Sequence, residues 1–189
     1  MKPHRPRFVA IHSFAIAVLC TLLAVPAHAE STVRRYELPD HGMLALNVPD
    51  AWIDNVSQPP GRLPPTISFG AKDGAPFAVL ITPIWPADPS KRITQAKIEE
   101  IVHGSATQFA PQSVEGKLEV KPLKGAFGSG YHVFATDKAP KPGEFKFVDQ
   151  GALTVGALLA TFTILTNDGQ ADIAKEALAM VTTARHVDR

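Results

Sequence analysis

Cysteine is the residue that this chain most nearly lacks, with one example, Cys20, among 189 residues. A single cysteine forms no intramolecular disulfide and no thiolate metal site. The remaining roles for Cys20 are a lipid anchor or a nucleophile. A bacterial lipoprotein signal places a small residue directly before the modified cysteine, whereas this chain has Leu19 there. We therefore interpret Cys20 as an ordinary member of an apolar leader.

The chain also lacks an apolar run long enough to cross a membrane. The run Phe14–Val25 is 12 residues long, and a spanning helix needs about 20. Ala27-His28-Ala29 follows, with small residues at the positions that signal peptidase reads. The segment before the run has three cations and no acid: Lys2, Arg5 and Arg7. This pattern predicts a signal peptide over residues 1–29, cleaved after Ala29.

A large excess of either charge is absent as well. Without the three cations of the leader, the chain has 16 Lys and Arg against 18 Asp and Glu, a formal charge of −2. That balance does not favour a nucleic-acid partner. A domain the size of residues 30–189 can bury a hydrophobic core that is stable without disulfides or a structural metal. We expect one exported domain, located in the periplasm, that does not span the membrane.

Alternating apolar residues predict two hairpins in the first half of this domain. Each pairs two short strands around a turn signal. The first spans Val33–Leu38 and Leu44–Val48 around Asp40-His41-Gly42, and the second spans Ile67–Ala71 and Phe77–Ile81 around Asp73-Gly74.

Two amphipathic segments predict helices. The first is expected to start at Asp88-Pro89-Ser90 and to stop before Pro111, because a capping side chain followed by proline is a common helix start. The second is expected to follow Asn167-Asp168-Gly169 and to reach Arg185 and His186, whose positions suit the end of a helix dipole.

A meander of strands from Leu118 to Phe147 lies between the helices, and it is followed by the apolar segment "GALLATFTILT", residues 156–166. We interpret this segment as a strand near the middle of the sheet and buried on both faces, with Gly156 turning the chain before it. The order of elements predicts an α+β fold, in which helices cover an antiparallel sheet as an α/β/α sandwich.

The chain also resembles a known family. "LNVPDAW", the Asp73-Gly74 hairpin and "QGALTVGALLATFTILTNDGQADIAKEALAMVTTARH" together resemble the PsbP-like superfamily, which includes Ran-binding and DcrB-like proteins. The resemblance covers roughly Val33 to His186 and implies an uncharacterised bacterial periplasmic member. It implies an α/β/α sandwich and a role in binding partners or assisting assembly. It implies no shared catalytic site.

One candidate partner-binding set stands out. Prolines give the loop "SQPPGRLPP", residues 57–65, a fixed shape, and aromatic side chains beside such a loop can supply a contact surface. The alternative is that each tryptophan covers an edge of the core. The residues of the predicted set are Trp52, Pro59, Pro60, Arg62 and Trp85.

Catalytic and metal signals are weak. Ser129, His132 and Asp137 supply the residue types of a nucleophilic triad, but no G-x-S-x-G motif accompanies them. Glu99 and His103 are four residues apart on one helical face, and a metal site needs at least one more ligand. We predict no catalytic residue, no metal and no cofactor.

The leading functional hypothesis is an exported, non-catalytic accessory protein that binds another protein of the bacterial envelope. The main alternative is a periplasmic carrier of a small apolar or metal ligand. A hydrolase is the remote alternative, because only the presence of Ser129, His132 and Asp137 in the sequence supports it.

Overall fold

The computed structural model describes residues 30–61, 63–88 and 91–188. The predicted signal peptide, Arg62, Pro89 and Ser90 lie outside these residues. The strands are β1 (Ser31–Glu37), β2 (Met43–Pro49), β3 (Trp52–Ser57), β4 (Thr66–Ala71), β5 (Ala78–Ile84), β6 (Val120–Gly125), β7 (Gly128–Thr136), β8 (Phe147–Val155), β9 (Leu158–Thr166) and β10 (Arg185–Val187). The helices are α1 (Gln95–Phe109), followed by a 3₁₀ turn (Ala110–Gln112), and α2 (Ala171–Thr182).

The described strands form two antiparallel sheets. The large sheet has seven strands in the order β3-β4-β5-β9-β8-β7-β6, and the small sheet has three in the order β1-β2-β10. The sequence predicts one sheet, so the separate position of the first hairpin is a correction. The chain turns after Pro49, and β3 pairs with β4 instead of β2. The first hairpin is therefore not part of the large sheet.

Two cores lie on opposite faces of the large sheet. The larger core packs α2 and the inner face of the small sheet against one face, through side chains that include Leu46, Phe162 and Met180. The smaller core packs α1 against the other face, through Ile98 and Leu159 among others. This arrangement confirms the predicted α+β class with helices on both sides of an antiparallel sheet.

Strand β9 lies fourth of seven in the large sheet, as predicted. Its larger-core face is buried along its length at Leu158, Ala160, Phe162 and Ile164. Its other face is buried at Leu159 but only half-buried from Thr161 to Leu165. Burial on both faces is therefore wrong for the second half of the strand, because α1 lies over β6, β7 and β8 and does not extend that far.

Glycine at position 151 leaves the space that close packing at the centre of the large sheet requires. A Cβ at Gly151 would lie 2.6 Å from Cζ of Phe162 and 2.5 Å from the carbonyl oxygen of Tyr131. Real Cβ atoms do not approach so closely, so only glycine lets the Phe162 ring lie across β8.

The predicted ends of both helices need correction. Helix α1 begins at Gln95, and the Oγ1 of Thr94 accepts a hydrogen bond from the Lys97 backbone N–H at 3.2 Å, which caps the helix. Helix α2 ends at Thr182, and Arg185–Val187 pair with β2 as strand β10. The Gly156 turn is confirmed, since this residue has φ +61° and joins β8 to β9.

Candidate functional site

The candidate site begins at Trp85, directly after the end of β5. Its ring is half-buried and stacks on the imidazole of His41, with ring centroids 4.3 Å apart and planes 27° apart. His41 belongs to the turn between β1 and β2, where the backbone N–H of Leu38 donates to the carbonyl of Gly42 at 2.9 Å. The stack therefore joins the small sheet to the large sheet.

A second histidine fixes the position of this turn. Nε2 of His186 lies 2.8 Å from the carbonyl oxygen of His41. A carbonyl only accepts, so Nε2 carries the proton and donates it. The His186 side chain is 9% exposed and packs against Gly156, where a Cβ would come within 3.1 Å of the His186 Cβ. Strand β10, through His186, therefore fixes the position of His41, on which the Trp85 ring stacks.

The proline-rich loop reaches the same end of the large sheet. It joins β3 to β4, and Thr66 at the start of β4 lies beside Thr82 near the end of β5, with their hydroxyl oxygens 2.9 Å apart. Within the loop, Nε2 of Gln58 donates to the carbonyl oxygen of Leu63 at 2.8 Å. This bond holds the loop closed and leaves the Leu63 side chain 57% exposed.

The predicted binding residues divide into two groups. Pro59 is half-buried, Pro60 is exposed, and both lie in the loop at the Trp85 end. Trp52 is 3% exposed and packs on Phe77, with ring centroids 4.8 Å apart. Arg62 lies outside the described residues. We define the Trp85 surface as Trp85, His41 and the loop residues Pro59, Pro60 and Leu63.

Trp52 cannot belong to that surface. It pairs with Ala71 at the end of β4, next to the start of β5, whereas Trp85 follows the end of β5. The seven residues of β5 separate these two ends by about 20 Å. The alternative that each tryptophan covers a core edge therefore describes Trp52 fully, and it describes in part Trp85, which is half-buried and packs against the same core.

His41 and Leu63 were missed by the sequence reasoning. His41 precedes Trp85 by 44 positions in the chain, and only the packing of the small sheet on the large one brings the two rings together. Leu63 had a usable signal, since a large apolar side chain in a proline-rich surface loop has no core to enter.

The supposed triad is not assembled. Ser129 and His132 are three positions apart in β7, and residues at odd separations in a strand point to opposite faces. Nδ1 of His132 lies 2.8 Å from Oδ1 of Asp149, not of Asp137. Asp137 instead accepts a hydrogen bond from the Ala139 backbone N–H at 2.8 Å, as in an ordinary turn. Ser129, His132 and Asp137, which supported a hydrolase, therefore do not form one site.

The helical pair offers no metal site. Nε2 of His103 and Oε1 of Glu99 are 3.9 Å apart on the exposed side of α1. No group of three or more His, Cys, Asp and Glu within the part of the chain that the structure describes is placed to hold a metal ion. Nor is any helix among those residues long and apolar enough to cross a membrane.

Comparisons with known proteins give a result at the level of the fold. No protein-family model matches the chain, and no curated protein matches it. The two antiparallel sheets and the helices on both sides nevertheless define an α+β protein with a PsbP-like fold.

One solved structure that shows this likeness is the solution structure of cyanobacterial PsbP (CyanoP) from Synechocystis sp. PCC 6803. The TM-score is 0.52, and the alignment covers 86% of this chain and 96% of that chain. The two sequences are 12% identical, so the likeness is one of fold alone.

Proposed function

We propose that this protein is an exported, non-catalytic accessory protein of the bacterial envelope and that it binds another envelope protein through the Trp85 surface. The single observation that supports the binding surface most strongly is the Trp85–His41 stack, with centroids 4.3 Å apart. A ring already held in place loses little conformational entropy on binding, which is a property of residues that dominate interfaces.

The surroundings of the stack support the same proposal. Leu63 presents an apolar side chain that is 57% exposed, at the same end of the sheet. Pro60 lies nearby in sequence with a fixed backbone. An exposed apolar residue and an aromatic ring already held in place, at one end of the sheet, are the kinds of side chain found in an interface core.

A photo-reactive amino acid at position 63 tests this surface. We expect one discrete cross-linked species in cells, and we expect Trp85→Ala to abolish it while Trp85→Phe, which keeps an aromatic ring, retains most of it. The matched control places the same amino acid at position 101, where Ile101 is 39% exposed on α1. Equal cross-linking from both positions, or no effect of Trp85→Ala, would contradict the proposal.

Export is tested by sequencing the N-terminus of protein purified from the envelope. The proposal expects a chain that starts at Glu30. A chain that starts at a lipid-bearing Cys20, or full-length protein that keeps residues 1–29, would show that the leader is not cleaved as proposed.

Carriage of a small apolar ligand is the second candidate function. It is favoured by a groove of about 240 Å³ on the small sheet, lined in part by Val33 and Phe127. Carriage of a metal has no such support among the described residues.

A further inference from the structure

A groove lies on the outer face of the small sheet, away from the larger core. Its volume is about 240 Å³. The floor belongs to β1 and β2, and the wall belongs to the β6–β7 turn and to the end of α2. The lining residues are Val33, Ala45, Asn47, Phe127, Thr183 and Arg185.

The apolar part of the groove is open to solvent. Val33 is 47% exposed and Phe127 is 52% exposed, although each is a large apolar side chain. Ala45 forms the floor between the strands and is 4% exposed. A concave site with apolar walls and a few polar groups is the usual form of a small-molecule site.

Two arginines stand on either side of the floor. Arg35 on β1 and Arg185 on β10 both pair directly with Ala45 on β2. Directly paired residues in an antiparallel sheet point to the same face, with Cβ atoms about 5 Å apart. The two guanidinium groups therefore rise from the same row of the sheet, on the face that holds the groove.

Neither guanidinium has an acidic partner within the described part of the chain. Arg34, the neighbouring arginine, is paired with Asp54 and also donates to the carbonyl of Trp52 at 2.9 Å. Arg35 and Arg185 are exposed and make no ion pair there, although Glu37 lies on the same face one row further along. The face thus has two arginines that make no ion pair within the described residues, next to an apolar groove, with Glu37 as an acid in the adjacent row.

The end of α2 does not offset these charges. A helix C-terminus attracts cations when its last carbonyls are free. Here each of the last four carbonyls accepts a hydrogen bond, from the backbone N–H groups of Ala126, Thr183 and Ala184 and from the Thr183 hydroxyl. The groove therefore favours a negative charge.

We propose that this groove binds a small amphiphilic carboxylate, whose carboxylate lies between Arg35 and Arg185 and whose apolar part lies against Val33 and Phe127. Guanidinium groups bind carboxylates through paired N–H donors. The volume of the groove corresponds to about eight water molecules, which suits a ligand of roughly that many carbon atoms. The proposal goes beyond the docking function of the Trp85 surface and does not depend on it.

Octanoate is the probe, titrated into the purified protein by calorimetry, with octan-1-ol as the neutral analogue. We expect octanoate to bind at least about tenfold more tightly than octan-1-ol, because each charged hydrogen bond gives about that factor. We expect the octanoate affinity to fall when NaCl is raised from about 0.05 M to 0.5 M, since exposed charges are screened.

Variants locate the site. Arg185→Ala should weaken octanoate binding at least about tenfold, Arg185→Lys should weaken it less, and Phe127→Ala should weaken octanoate and octan-1-ol alike. Arg92→Ala is the matched control, because Arg92 is exposed and precedes α1 on the opposite side of the large sheet. Absence of octanoate binding at millimolar concentration, equal affinity for octan-1-ol, or unchanged binding by Arg185→Ala would each overturn the proposal.

Discussion

At the scale of single residues, Tyr36 carries a polar group in an apolar place. The residue is 6% exposed and its ring meets Phe69 edge-on, with centroids 6.1 Å apart. Its hydroxyl is buried and makes no hydrogen bond of good geometry, although the side chains of Asp54 and Arg34 lie close to it. Burial, followed by the nearby negative charge of Asp54, raises the pKa of Tyr36 well above its usual range.

Tyr36→Phe should therefore leave the free energy of unfolding at pH 7 unchanged or raise it by up to about 1 kcal/mol, because it removes a buried polar atom that makes no hydrogen bond of good geometry. In the unfolded chain a tyrosine loses its proton near pH 10, whereas folded Tyr36 keeps it at that pH. Because the unfolded chain then gives up a proton that the folded chain keeps, the stability of the parent is unaffected by this group below pH 10 and falls as pH rises above that value.

Urea unfolding at pH 8 and at about pH 10.5 measures this effect. The parent should lose more stability between the two conditions than Tyr36→Phe does. Tyr131→Phe is the control and should behave like the parent, since Tyr131 is half-buried on the other face of the sheet. An alkaline loss of equal size in the Tyr36→Phe variant would show that this hydroxyl is not the cause.

Glu115 has the opposite shift. Glu115 is exposed, and the slight burial of its carboxylate would raise its pKa, but hydrogen bonds from the Thr136 hydroxyl at 2.7 Å and from the Thr136 backbone N–H at 3.1 Å outweigh burial and lower the pKa. The carboxylate thus links the segment after α1 to the end of β7.

Because the pKa of Glu115 is lowered by folding, its contribution is present above the unfolded value of about 4.3 and is lost as pH falls through the folded value. Glu115→Gln should lose less stability than the parent between pH 6 and pH 3. Thermal unfolding at both pH values measures the difference, with Glu119→Gln as an exposed control. Identical acid profiles for Glu115→Gln and the parent would refute this role.

At the scale of secondary-structure elements, strand β9 shows what the sequence predicts well. Its length, its central position and its turn at Gly156 all follow from an unbroken apolar run bounded by glycine and by Asn167-Asp168-Gly169. The incomplete burial of one face of β9 could not be predicted from the sequence. Whether Thr161 and Thr163 are covered depends on where α1 lies, and the pattern of the strand itself does not contain that information.

Substitutions on the two faces of β9 should differ sharply. Phe162→Asp and Leu159→Asp should prevent folding, because an unpaired buried charge costs several kcal/mol, about as much as the whole stability. Thr163→Asp should cost about 1 kcal/mol or less, since it faces the half-covered side. Circular dichroism and thermal melting distinguish the three variants. Normal melting of Phe162→Asp would mean that β9 is not central.

At the scale of the whole molecule, three residues at the end of the chain connect the layers. Strand β10 pairs with β2 in the small sheet, directly follows α2 in the chain, and supplies His186 to the His41 carbonyl. The sequence predicted a continued helix here, because Arg185 and His186 suit a helix end. The segment pairs with β2 instead of continuing the helix, because β2 has an edge whose backbone N–H and C=O groups need hydrogen-bond partners.

Ending the chain after Ala184 should therefore lower the free energy of unfolding by roughly 2 kcal/mol, through the loss of backbone and His186 hydrogen bonds. A chain that ends after Val187 is the control and should retain full stability, because Asp188 is 92% exposed. Urea unfolding compares the two. Equal midpoints would indicate that the small sheet does not need its third strand.

The sequence alone determined the α+β class, the two hairpin turns, the central strand and the opposite placement of two amphipathic helices. Each of these follows from local periodicity and turn chemistry, which neighbouring residues specify. Tertiary structure alone decided that the first hairpin forms its own sheet, that Trp52 is buried while Trp85 meets His41, and that Arg35 and Arg185 share one row. Those outcomes depend on which surfaces pack together across many positions of the chain, and local patterns do not specify such pairings.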